Sequence, residues 1–102
     1  MSQPEYSVRL LRIAEDDLTE IITYIAADRP SAAEKLATRI EKNLHLLARN
    51  PHLGRIPNEE ELLRVGYRYL AVENYLIFYT IEAKTILVHR ILHGARDYLK
   101  LL

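Results

Sequence analysis

A chain of 102 residues with 49% hydrophobic and 27% charged side chains is the size of one domain, and residues 1–102 are expected to fold as a single unit. Fourteen basic residues balance fourteen acidic ones, a poor electrostatic footprint for autonomous nucleic-acid binding. The absence of cysteine removes disulfides, thiolate nucleophiles and zinc-thiolate sites, and no apolar run approaches the ~20 residues of a membrane span.

Glu5 interrupts the start of the chain where a signal peptide would need apolar residues, so the expected location is the cytoplasm, with no membrane contact. Residues 6–12 alternate Val8 and Leu10 against Ser7 and Arg9, which predicts a short half-buried strand. Ala14, Leu18, Ile21, Ile22 and Ile25 then form one helical stripe, with Glu15, Asp16 and Asp17 near its positive N-terminal end. That helix is expected to stop near Asp28, because Pro30 disfavours helical geometry at Arg29.

The S-x-x-E spacing of Ser31 and Glu34 predicts a capping box that opens a second helix at once. Its stripe, Ala33, Leu36, Ala37, Ile40, Leu44 and Leu47, runs to about Asn50, where Pro51 ends it. Pro51, Gly54, Pro57 and the run Glu59, Glu60, Glu61 predict an irregular connection. Three strands follow at about residues 63–72, 75–81 and 85–92, joined by Glu73-Asn74 and Glu82-Ala83-Lys84, connections short enough for antiparallel hairpins.

The middle run, YLIFYTI, is apolar on both alternating faces, as a central strand would be. Gly94 marks a break, and residues 95–101 are expected to add one helical turn or an irregular tail. The expected fold is therefore α+β: an N-terminal strand, a two-helix hairpin, then a three-stranded antiparallel meander (β-α-α-β-β-β) with a short tail.

Charge is uneven along the chain, with six bases against three acids in residues 62–102. Arg68 and Arg90 could hold phosphate oxygens in a bidentate fork, against the plainer reading of strand arginines that snorkel or pair with a nearby carboxylate. His89 and His93 are expected to share a strand face ~13 Å apart at ~3.3 Å per residue, too far to ligate one metal, so no metal and no cofactor are expected. His93 alone could donate a proton near neutral pH, although a hydrogen-bonded histidine fixing the tail is the plainer role.

Taken in order, the strand, the helix hairpin, P-x-L-G-R at 51–55, Arg68 ahead of an aliphatic strand, Y-x-I-F-Y at 75–79 and I-L-H-G-A-R-D at 91–97 resemble the RelE/ParE superfamily of bacterial toxins. The H-G-A-R-D tail is more similar to the ParE branch. The resemblance implies the toxin of a type II toxin-antitoxin system, of the kind tied to plasmid stabilisation and growth arrest. It also implies a ParD-like antitoxin whose C-terminal segment wraps the toxin. The antitoxin's ribbon-helix-helix N-terminus would bind operator DNA, which the toxin would meet only indirectly. Ile22, Ile25, Leu36 and Ile40 on the hairpin are the antitoxin-binding candidates, against the plainer reading that they are core.

The ParE branch implies a non-enzymatic poison of DNA gyrase, acting by binding. Aromatic residues and arginines most often carry the energy of such contacts, so Tyr67, Arg68, Tyr69, Arg90, His93 and Arg96 are the target-binding candidates. The RelE branch implies instead a metal-independent, ribosome-dependent mRNA endoribonuclease, for which Arg68, Arg90 and His93 would be catalytic. The central strand, residues 75–81, offers no charged side chain and no histidine, whereas the ribonuclease branch places an arginine there. A third class, a nontoxic antitoxin-binding or nucleic-acid-binding module, fits the interleaved Tyr67-Arg68-Tyr69 but not the neutral net charge.

Overall fold

The computed structural model describes residues 5–102. In chain order it has β1 (Ser7–Leu10), α1 (Arg12–Asp28), α2 (Pro30–Arg49), α3 (Glu60–Val65), β2 (Arg68–Val72), β3 (Tyr75–Glu82), β4 (Thr85–His93) and a final 3-10 turn (Tyr98–Lys100). The strands form one mixed sheet in the order β1-β4-β3-β2, with β1 parallel to β4 and the last three strands an antiparallel meander. The expected β-α-α-β-β-β order is what the chain adopts.

The helix hairpin covers one face of the sheet because the two stripes point the same way. Leu36, Ile40 and Leu47 of α2 and Ala14 of α1 are buried against Ile77, Tyr79, Ile86, Val88 and Ile91, with Leu18, Ile21, Ile22 and Ile25 packed around them. Each such aliphatic side chain contributes about 1.5–3 kcal/mol on burial. A smaller cluster lies on the opposite face, where Leu62, Phe78 and Leu92 meet Tyr67, Tyr69, Leu76, Tyr98, Leu101 and Leu102. The middle strand, apolar on both sides, is thus covered on both sides.

Four expectations are corrected. Residues 63–65 belong to α3 and not to a strand: the glutamate run opens a one-and-a-half-turn helix that buries Leu62 and ends at Gly66, whose φ of 91° is the left-handed cap position. The capping box does not form; Pro30 itself takes the first helical position of α2, and no side chain caps the helix. The second hairpin turns on Ala83 and Lys84 alone, since Glu82 pairs with Thr85.

The fourth correction bears on the site. A bulge shifts the β3-β4 register between Phe78 and Tyr79, so that Phe78 pairs with Arg90 and Tyr79 with Val88 while His89 has no partner. Side-chain parity inverts there: Ile86 and Val88 face the helices before the bulge, and Ile91 does so after it. His89 and His93 consequently lie on opposite faces. Among the described residues no helix is long and apolar enough to cross a membrane.

Candidate functional site

The P-x-L-G-R segment is held against the sheet by one buried hydroxyl. Tyr79 is fully buried, its Oη accepts the Gly54 N–H at 2.8 Å, and it donates to the Pro51 carbonyl at 2.8 Å. A Cβ on Gly54 would lie 2.6 Å from that hydroxyl and 2.8 Å from the Tyr69 carbonyl, so only glycine fits. Arg55 then exchanges two main-chain bonds with Tyr69, closing the outer edge of β2. Arg68 completes the arrangement by donating to the Gly54 carbonyl at 3.0 Å. Burial raises the Tyr79 pKa, opposed by the Gly54 hydrogen bond and the Arg68 charge.

Arg90 is equally committed. Its Nε and Nη2 form a fork on the Asp17 carboxylate at 2.7 and 2.8 Å, and its Nη1 donates to the Leu101 carbonyl at 2.9 Å. Both side chains are nearly buried, 13% and 12% exposed. Asp17 also accepts the Ile91 N–H at 3.1 Å, which supplies a partner to β4 beyond the end of β1. The hydrogen bond to Asp17 raises the Arg90 pKa, so this cation is permanent. Asp17 therefore serves the sheet edge, not the N-terminus of α1 as its position in the acidic run had implied.

Tyr67 and Tyr69 share the second face of the sheet with Phe78, at ring separations of 6.5 and 6.2 Å. Beneath them His89 Nε2 lies 2.8 Å from the Thr80 hydroxyl and His89 Nδ1 3.4 Å from the Tyr67 hydroxyl. Burial lowers the His89 pKa and raises that of Tyr67. Tyr98 packs on Phe78 at 5.0 Å, and its hydroxyl donates to Glu59 at 2.8 Å. That bond, followed by burial, raises the Tyr98 pKa.

His93 and Arg96 stand elsewhere, in a groove of about 210 Å³ between α1 and the free end of β4, lined also by Glu20, Tyr24 and Tyr75. His93 is exposed, sets its ring edge against Tyr75 at 5.4 Å, and its Nδ1 accepts the Ala95 N–H, which fixes the start of the tail. Tyr24 projects from α1 with 81% of its surface in solvent.

The six target-binding candidates thus divide into Tyr67 and Tyr69 on one face, Arg68 at the loop, Arg90 at the helix-sheet seam, and His93 with Arg96 in the groove. Of the four hairpin candidates, Ile22 and Ile25 are half-buried, whereas Leu36 and Ile40 are 2% and 1% exposed and belong to the chain's own core. Among the described residues no group of three or more metal-ligating side chains forms. Sequence reasoning missed Tyr24, and it took Asp17 for a helix-end charge, Glu59 for part of an acidic loop run and Tyr79 for no more than a member of Y-x-I-F-Y. The signal for Tyr24 is an aromatic residue off the apolar stripe of α1.

Residues 8–98 match the family model of the ParE toxin of the type II toxin-antitoxin system parDE. No curated protein matches the chain. Among solved structures, a chain of a chromosomal ParDE TA system from P. aeruginosa is 23% identical, with a TM-score of 0.72 over 89% of this chain and 98% of that one. A chain of the toxin-antitoxin complex RelBE2 from Mycobacterium tuberculosis is 24% identical, with a TM-score of 0.63 over 87% of this chain and 98% of that one. These likenesses are of fold, whereas the family match spans most of the sequence, from the first strand through the tail: the chain belongs to the ParE toxin family of type II toxin-antitoxin systems.

Proposed function

We propose that this toxin arrests growth by docking on DNA gyrase and holding it on cleaved DNA, and that a ParD-like antitoxin neutralises it by covering the helix hairpin. The observation that carries the docking reading is the internal commitment of Arg90. Phosphodiester cleavage needs a cation, a base and an acid free to converge on one phosphate. Arg90 spends its fork on Asp17 and a third donor on Leu101, while Arg68 gives Nη1 to the Gly54 carbonyl. His93, the third ribonuclease candidate, lies in the α1-β4 groove on the far side of the sheet from the tyrosine face.

Docking requires no such convergence, only a fitted patch of roughly 800 Å² with aromatic and arginine anchors. His93 and Arg96 in the groove, beside Tyr24 and Tyr75, supply such anchors on one side of the sheet, and Tyr67 and Tyr69 supply a separate set on the other. Ile22 and Ile25 pack toward the chain's own core, but on its outer face α1 presents Tyr24 and Ile13, 81% and 48% exposed, which supports the antitoxin reading. A partner helix laid there would bury these side chains. The antitoxin, in turn, is the part expected to reach operator DNA, and the cytoplasm is the compartment in which all three meet.

The test is expression of the chain alone and with its neighbouring small reading frame. Docking on gyrase predicts filamentous cells with a DNA-damage response, relieved by co-expression. Immediate arrest of protein synthesis with cleaved messages would establish the ribonuclease reading instead.

A further inference from the structure

The last residues are attached to the body in an unusual way. From Gly94 on, the only main-chain bond among the described residues that reaches outside β4 and the tail is the one from Gly94 to Asn74; Arg96 N–H bonds to His93, Tyr98 to Arg96, Lys100 to Asp97, and Leu101 and Leu102 both to Tyr98. Residues 95–102 thus add no strand and join no helix. Among the described residues two polar side-chain contacts tie them down: the Tyr98 hydroxyl donates to Glu59 at 2.8 Å, and Arg90 donates to the Leu101 carbonyl at 2.9 Å. Between these ties, Tyr98, Leu101 and Leu102 lie across the second face of the sheet and keep Phe78 and Leu92 at 1% and 2% exposure.

We propose that residues 98–102 are a releasable strap over this aromatic face, and that Arg90 is the latch coupling its release to α1. The same guanidinium that holds the Leu101 carbonyl is forked onto Asp17 of α1, and Asp17 lines the groove with Glu20, Tyr24, Tyr75, His93 and Arg96. Moving α1 at Asp17 therefore moves the donor on which one end of the strap depends. A segment with local main-chain bonds only and two side-chain ties opens at a lower free energy than the strands beneath it. Release uncovers Phe78 and Leu92 beside Tyr67 and Tyr69, and it does so whichever macromolecule the toxin acts on.

Hydrogen exchange read by mass spectrometry on the full chain tests this, comparing the wild type with Asp17→Asn and Glu59→Gln. The quantity read is the ratio of exchange in residues 98–102 to exchange in β3 and β4. The strap predicts that the wild-type tail opens well before the strands, and that each substitution raises the ratio about tenfold, the factor expected for loss of one charge-assisted hydrogen bond. A tail that exchanges only with the strands overturns the strap. Asp17→Asn raising tail and strand exchange equally, or leaving the tail unchanged, overturns the latch even if Glu59→Gln frees the other end.

Discussion

Replacing Tyr79 by phenylalanine removes one oxygen atom and leaves two groups without partners, the Gly54 N–H and the Pro51 carbonyl, each now bonded at 2.8 Å. Tyr79 is 0% exposed and Gly54 is buried, so the orphaned N–H bears the full desolvation cost of about 1–3 kcal/mol. Pro51 is half-buried and its carbonyl can recruit water, adding no more than about 1 kcal/mol. A loss of about 2–3 kcal/mol in a domain of this size lowers Tm by roughly 10–20 °C. Thermal and urea unfolding followed by circular dichroism measure it, with the urea slope expected to stay constant. Gly54→Ala should be strongly destabilising in the wild type and in the Tyr79→Phe background alike, because the added Cβ also meets the ring Cε1 at 2.7 Å and the Tyr69 carbonyl at 2.8 Å. A Tm loss below about 3 °C for Tyr79→Phe would refute the claim that this hydroxyl pins the loop.

Burial holds His89 below its ordinary pKa of 6.5, partly offset by the charge of Glu82, so the unfolded chain binds more protons in acid and stability falls as the pH drops from 6.5 through the folded value. The urea midpoint should fall more between pH 7.5 and 5.5 in the wild type than in His89→Gln; equal losses would remove His89 as the cause. Ala83 turns the second hairpin at φ 54°, a left-handed conformation costly for a residue with a Cβ, so Ala83→Asn should raise stability by about 0.5–1 kcal/mol in urea unfolding. Arg96→Glu should leave Tm within about 2 °C while weakening target inhibition at least about tenfold, measured by titration; full potency would remove the groove from the docking surface.

The elements whose apolar spacing repeats were legible in the sequence. The stripes of α1 and α2 and the doubly apolar β3 needed only periodicity, and the structure places them as read. What failed was local geometry without a periodic signature. The glutamate run at 59–61 looked like solvated loop, yet it opens a helix whose one buried residue, Leu62, seeds the second cluster. The bulge at His89 leaves no mark on composition, and by inverting parity it separated two histidines that simple alternation had put on one face. Asp17 and Arg90 are 73 positions apart, so nothing near either residue in the chain announces their pairing. The P-x-L-G-R motif was visible as a pattern, but its cause, a close approach of Gly54 to Tyr79, exists only in three dimensions.

The most direct test of the account is a supercoiling assay with purified toxin, gyrase and relaxed plasmid, run beside a translating extract in which message integrity is followed. Docking predicts loss of supercoiling with accumulation of gyrase-linked broken DNA, reversed by the cognate antitoxin, while the message stays whole. Normal supercoiling alongside cleaved message would contradict it.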